Sequence, residues 1–153
     1  MSASPASPAG AAVSSPVSSV PQQATVLLYS HRPEVRDAVR TAVGRRPAAD
    51  VGPITWVECA TADDVVSAVD AGGIDLCVLD GEAQPTGGMA LTRQLEVEVA
   101  DRPAVCLLIA RQPDRWLAHW SRAEATLPMP VDPLVAPGVV ADLLRARRPV
   151  VRP

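Results

Sequence analysis

Beginning at Thr25, short apolar runs alternate with stretches whose apolar residues recur every three or four positions. Val26-Leu27-Leu28-Tyr29 presents no charged side chain to either face, as a strand covered on both sides requires. Val35, Ala38, Val39, Ala42 and Val43 follow at i, i+3, i+4, i+7 and i+8, one face of a helix that Gly44 can close. Ile54 to Cys59 predicts a second strand. Thr61 to Asp64 is a capping-box sequence before a helix carrying Val65, Ala68 and Val69, stopped by Gly72-Gly73. Ile74 to Leu79 predicts a third strand that delivers Asp80 at its carboxyl end. A Gly- and Pro-containing loop leads to a third helix with Met89, Leu91 and Leu95. Val105 to Ile109 predicts a fourth strand, and the helix after it carries Trp116 and Trp120 one turn apart. Ala125 to Leu127 makes a short fifth strand. Asp132-Pro133 or Pro137 then opens a last helix with Val139, Val140, Leu143 and Leu144. Five such units imply an α/β fold: a doubly wound, five-stranded parallel sheet with five helices on its two faces.

Composition divides the chain. Residues 1–24 are almost wholly Ser, Ala and Pro with no charged residue, which predicts a disordered leader. The folded domain is expected over 25–145, and a short basic tail over 146–153, next to Arg145 and containing Arg147, Arg148 and Arg152. All 14 basic residues are Arg; Lys, Phe and Asn are absent. The missing Lys excludes Schiff-base and P-loop chemistry. A net charge of −3 argues against nucleic acid as a partner. No stretch approaches the roughly 18 apolar residues of a membrane span, and the N-terminus lacks the charged and apolar regions of a secretory signal. A cytoplasmic protein with no membrane partner is expected. Cys59, Cys77 and Cys106 lie far apart in apolar runs without CxxC or metal-ligand spacing, which suits buried thiols in a reducing compartment.

The stretch Asp75-Leu76-Cys77-Val78-Leu79-Asp80, followed by Pro85, Gly88, Leu91 and Leu95, resembles the receiver domain of bacterial response regulators. That family has a strand bounded by two Asp, the second accepting a phosphoryl group, and a Gly eight residues later. Val26 to Arg36, with Pro33-x-Val35-Arg36, matches its opening strand and helix, and Pro130 sits where the family has a Lys-Pro pair. The resemblance runs from Thr25 to about Arg145. One irregularity is the loop Pro, which falls at Pro85 with Gln84 in its usual place. The resemblance implies the strand order 2-1-3-4-5 and a site at the carboxyl ends of the strands. It also implies phosphoryl transfer to Asp80 with Mg²⁺, a carboxylate pair, a Lys and a Thr or Ser hydroxyl.

Apart from Asp80 those groups are missing. Ser30 and His31 replace the acidic pair, although a hard cation prefers charged oxygen ligands. Ile109 replaces the hydroxyl, Met129 the Lys, and Thr126 the aromatic switch residue. A charge-assisted hydrogen bond contributes roughly 1.5–3 kcal/mol, and each 1.4 kcal/mol is about tenfold in rate. Losing the Lys and hydroxyl contacts alone therefore costs on the order of 10²–10⁴-fold. A missing metal costs more. The chain resembles a degenerate, stand-alone receiver of the output-less kind found in actinobacteria.

The expected function is signal transduction through protein–protein recognition, independent of phosphorylation, with neither enzymatic activity nor a cofactor and with Mg²⁺ poorly provided for. Asp80 is then a retained strand-end carboxylate, bonded to loop amides or to His31; a pH-sensitive His31–Asp80 contact is one form of this. Glu82 faces the site mouth as a second carboxylate. Ser30, His31 and Asp80 do not form a hydrolase triad, because a Ser and a His adjacent on a strand point apart. Trp116 and Trp120 have two readings, core packing or an anchor for a partner. The family's face of helix four, strand five and helix five suggests an unknown protein partner or a homodimer. The alternatives are a working phosphorelay receiver modified on Asp80, or a small-molecule module using a vacated pocket of Ser30, His31, Ile109 and Met129.

Overall fold

In the computed structural model, which describes residues 23–111 and 114–147, the five apolar runs lie side by side as parallel strands. They are β1 (Ala24–Tyr29), β2 (Ile54–Cys59), β3 (Leu76–Asp80), β4 (Ala104–Ile109) and β5 (Ala125–Pro128). The sheet order is β2-β1-β3-β4-β5. Between and after them run α1 (Pro33–Val43), α2 (Ala62–Ala71), α3 (Gly88–Glu98), α4 (Asp114–Trp120) and α5 (Ala136–Arg147).

Side chains alternate across the sheet with period two. Val26, Leu28, Val78, Cys106 and Leu108 point to one face, where they pack on Val39 and Val43 of α1 and Val140 and Leu144 of α5. Leu27, Tyr29, Cys77, Leu79, Val105 and Leu107 point to the other, against Val65 and Val69 of α2, Leu91 and Leu95 of α3 and Ala118 of α4. Burial on both faces is why β1, β3 and β4 read as unbroken apolar runs. All three cysteines are buried free thiols. The Thr61 hydroxyl accepts from the Asp64 amide at 3.1 Å, the capping contact its sequence predicts.

Element ends differ from the sequence expectation in places. Ile74 lies outside β3. The Asp75 carboxylate and amide instead bond the Thr25 amide and carbonyl, each at 2.8 Å, which leaves the sheet to begin at Leu76. The last helix starts at Ala136, because Asp132 forms a side-chain turn with the Leu134 amide at 2.8 Å before it. That helix continues to Arg147, and Arg145 forks onto Asp50 at 2.8 and 2.7 Å, so the expected boundary at 145 falls inside α5. At the other end Ala24 belongs to β1. Residues 1–22 of the expected leader and 148–153 of the expected tail lie outside the described residues.

Candidate functional site

β1 and β3 are neighbours paired through Tyr29 and Leu79, so the residues just after each strand meet above the sheet. Asp80 ends β3 fully buried, and three donors meet its carboxylate. Oδ1 accepts from the Glu82 amide at 2.8 Å. Oδ2 accepts from the Ser30 hydroxyl at 2.7 Å and from the Arg32 guanidinium at 3.2 Å. Ser30 is itself fixed: its Oγ accepts from the Arg32 amide at 3.1 Å, and its carbonyl accepts from Arg36 at 2.6 Å. Arg36 is held in turn by Glu58 of β2 at 2.9 Å.

The loop after Asp80 is pinned from β1. The Tyr29 hydroxyl donates to the Thr86 carbonyl at 2.6 Å. Burial, and then the charge of Asp80, push the Tyr29 phenol above its ordinary range. Gly88 opens α3 against the sheet so closely that a Cβ there would lie 2.8 Å from Leu107 Cδ2 and 3.0 Å from the Asp80 carbonyl oxygen. Any larger residue there must displace the Leu107 side chain and press on the Asp80 carbonyl, so glycine suits the position.

Of the two partners expected for Asp80, the loop amide is there, from Glu82, while His31 does not meet the carboxylate. It turns to the exposed side, where its Nδ1 accepts from the Gln84 amide at 3.0 Å, while adjacent Ser30 points inward. The expected pocket also changes its lining. A cavity of about 610 Å³ is bounded by His31, Arg32, Val35, Glu82, Gln84, Ala110, Met129 and Pro130. Ser30 and Ile109 are too deeply buried to contribute. Glu82 does stand at its mouth. Thr126 sits half-buried in β5 beside Leu107, and Met129 donates its amide to the Ile109 carbonyl at 2.8 Å.

Arg32 is the site residue that the sequence reading missed. The available signal was a lone cation directly after Ser30-His31, in a chain with no Lys to serve the site. Among the described residues no three His, Cys, Asp or Glu side chains cluster as a metal site would. The Arg32 guanidinium occupies the side of Asp80 next to Ser30 and His31, so this donor set does not fit Mg²⁺.

Trp116 and Trp120 are 66 % and 59 % exposed, so the core reading does not hold. Arg93 of α3 lies over the Trp120 ring, 4.5 Å from its centroid, and this ring therefore faces α3 rather than α5.

Two response regulatory proteins of Mycobacterium tuberculosis, strains H37Rv and CDC 1551, are 49% identical to this chain over 121 residues, 79% of this chain and 91% of each relative. The chain belongs to the response regulator family. Its fold is that of the receivers: the receiver domain of Francisella response regulator 1452 superposes with a TM-score of 0.69 at 13% identity, over 82% of this chain and 99% of that one. A CheY-like receiver from Methanospirillum hungatei JF-1 gives 0.63 at 12%, over 82% and 97%. No protein-family model matches the sequence. No helix among the described residues is long and apolar enough to cross a membrane.

Proposed function

We infer that this receiver signals by protein–protein recognition, without phosphorylation of Asp80, and that Arg32 acts as a permanent counter-cation in the site. The observation that carries this reading is the engagement of both Asp80 carboxylate oxygens. Oδ2, held by Ser30 and Arg32, and Oδ1, held by the Glu82 amide, belong to a fully buried side chain. The three donors take three of the carboxylate's roughly four lone-pair sites, and attack on a phosphodonor also needs a cation on the entering phosphoryl group. In this chain the cation is spent on the nucleophile. Met129 and Ile109 supply neither charge nor a side-chain hydrogen bond to an incoming phosphoryl group. The receiver surface, not a phosphate-driven switch, then carries the signal.

Incubation with acetyl phosphate and Mg²⁺, read by intact mass, tests this reading. The expected result is no phosphoryl adduct on the wild type, on Asp80→Ala or on Arg32→Ala. An adduct on the wild type that Asp80→Ala lacks overturns it.

A second reading is favoured by one specific observation, the 610 Å³ cavity, which joins an apolar wall of Val35, Ala110, Met129 and Pro130 to the polar groups of His31, Arg32 and Gln84. In this reading the cavity takes a small ligand and the receiver senses it. A ligand-dependent rise in melting temperature that Met129→Trp abolishes supports it.

A further inference from the structure

α4 turns Ala118 and Asp114 inward and leaves its opposite side uncovered. At 3.6 residues per turn, Leu117, Trp120 and Trp116 are consecutive on that outer arc. Leu117 is 36 % exposed, beside the two more exposed Trp rings. The Arg93–Trp120 contact shows which stripe of α3 borders the arc, and Val97, one turn after Arg93 and 81 % exposed, lies on the same stripe. Leu117, Trp120 and Trp116 thus form an exposed apolar strip on α4, bordered on α3 by Arg93 and, one turn on, by Val97.

Two arginines without a carboxylate partner flank the tryptophans. Arg93 borders the strip on α3, and Arg115 borders it on the far side of α4. Among the described residues neither forms an ion pair, and Arg93 stacks on Trp120. Of the nearby carboxylates, Glu96 and Glu124 both bind Arg102, Asp114 is buried and paired with Arg111, and Glu98 accepts from the Gln94 side chain one turn before it. In a chain whose net charge is −3, the two tryptophans thus lie between two arginines that no carboxylate neutralises.

We propose that the α3–α4 strip docks an acidic segment of a partner protein, one that interleaves carboxylates with apolar side chains. The carboxylates meet Arg93 and Arg115, and the apolar groups cover Trp116 and Trp120. Size argues for a segment over a second copy of this chain: two partly exposed Trp rings with Leu117 and Val97 offer roughly 300–400 Å², about half of what each side of a stable globular interface buries. This proposal rests on the recognition reading above, and it places the surface beside α3 instead of on the β5–α5 side.

The test is selection of a random twelve-residue peptide library on the full chain, followed by tryptophan-fluorescence titration of the selected peptides. The expected consensus mixes Asp or Glu with apolar residues. Its affinity falls about tenfold or more in Trp116→Ala and in Trp120→Ala, falls in Arg115→Glu, and weakens with added salt. Circular dichroism confirms that each variant is folded, as substitutions at exposed positions should leave it. A neutral or basic consensus, the same peptides selected by the double Trp variant, or no enrichment overturns the proposal. So does a dimer in analytical ultracentrifugation that the Trp variants abolish, or oligothymidine bound as tightly as the peptides. The phosphodonor experiment reads only Asp80, so its failure leaves these outcomes unaffected.

Discussion

Arg32 and Asp80 provide the most direct test of how the site is built. The pair joins a fully buried carboxylate to a guanidinium whose side chain is 38 % exposed, at 3.2 Å. A charge-assisted hydrogen bond contributes roughly 1.5–3 kcal/mol, but water reaching Arg32 screens part of it. Arg32 Nε is also buried without a hydrogen-bond partner, which offsets a further part. The expected coupling between the two side chains is therefore about 1–2 kcal/mol. A double-mutant cycle of Arg32→Ala and Asp80→Asn, measured by urea unfolding, isolates it from the other contacts of each residue. Arg32→Ala should lower the melting temperature by about 3–5 °C per kcal/mol lost at this domain size. Asp80→Asn should also destabilise, since it takes the charge from an acceptor that three donors address. If the carboxylate were instead a bare buried charge, Asp80→Asn would stabilise the fold. A stabilised Asp80→Asn together with a coupling below about 0.3 kcal/mol would refute the counter-cation role.

Two further perturbations probe the frame around the site. Gly88→Ala pushes a methyl into Leu107 Cδ2 and the Asp80 carbonyl, and it should cost about 1–3 kcal/mol by overpacking. Gly138→Ala in α5, where a Cβ meets nothing within 4 Å, should stabilise by about 0.5–1 kcal/mol in the same urea assay. Burial pushes the Cys77 and Cys106 thiols up to about 12, and burial with the nearby Asp64 charge pushes Cys59 up to about 11. At pH 8 only about one thiol in 10³–10⁴ is then ionised. Iodoacetamide should leave the native chain unlabelled and add three groups in urea. Because these folded values lie above the ordinary 9.0, their stabilising effect is complete below pH 9 and fades as pH climbs towards 12. The urea midpoint should fall across that window, and by less in Cys106→Ala.

The sheet was legible because β1, β3 and β4 are covered on both faces and so cannot hide a polar residue mid-strand. Helix faces were legible for the same reason, through Val39 and Val43 on α1 or Leu91 and Leu95 on α3. The ends of elements were harder. Asp75 looked like part of an apolar strand run, yet its carboxylate stitches it to Thr25. Asp132 looked like a helix start, yet it makes a turn first. Such choices depend on single hydrogen bonds, which periodicity does not encode. The exposure of Trp116 and Trp120 was undecidable from spacing, because a tryptophan pair one turn apart serves equally in a core and on a surface. What resolves it is the position of Ala118 and Asp114, which take the inward face.

Site identities were legible residue by residue, but the way they rearrange was not. The sequence shows that Met129 stands where a Lys is expected, and a reading confined to that position finds a site stripped of its cation. The fold returns a cation from the opposite side. Arg32, just ahead of α1, reaches Asp80 across 48 positions of sequence, and Ser30 turns inward to share the same oxygen. Substitution of the acidic pair makes this possible: two carboxylates at positions 30 and 31 would compete with Asp80 for the guanidinium and add like charge beside it. A Ser there donates instead, and His31 turns away to the Gln84 amide. With Ser30 and His31 at those positions, Asp80 is the one carboxylate that Arg32 meets among the described residues, and the guanidinium balances its buried charge without a Lys on β5.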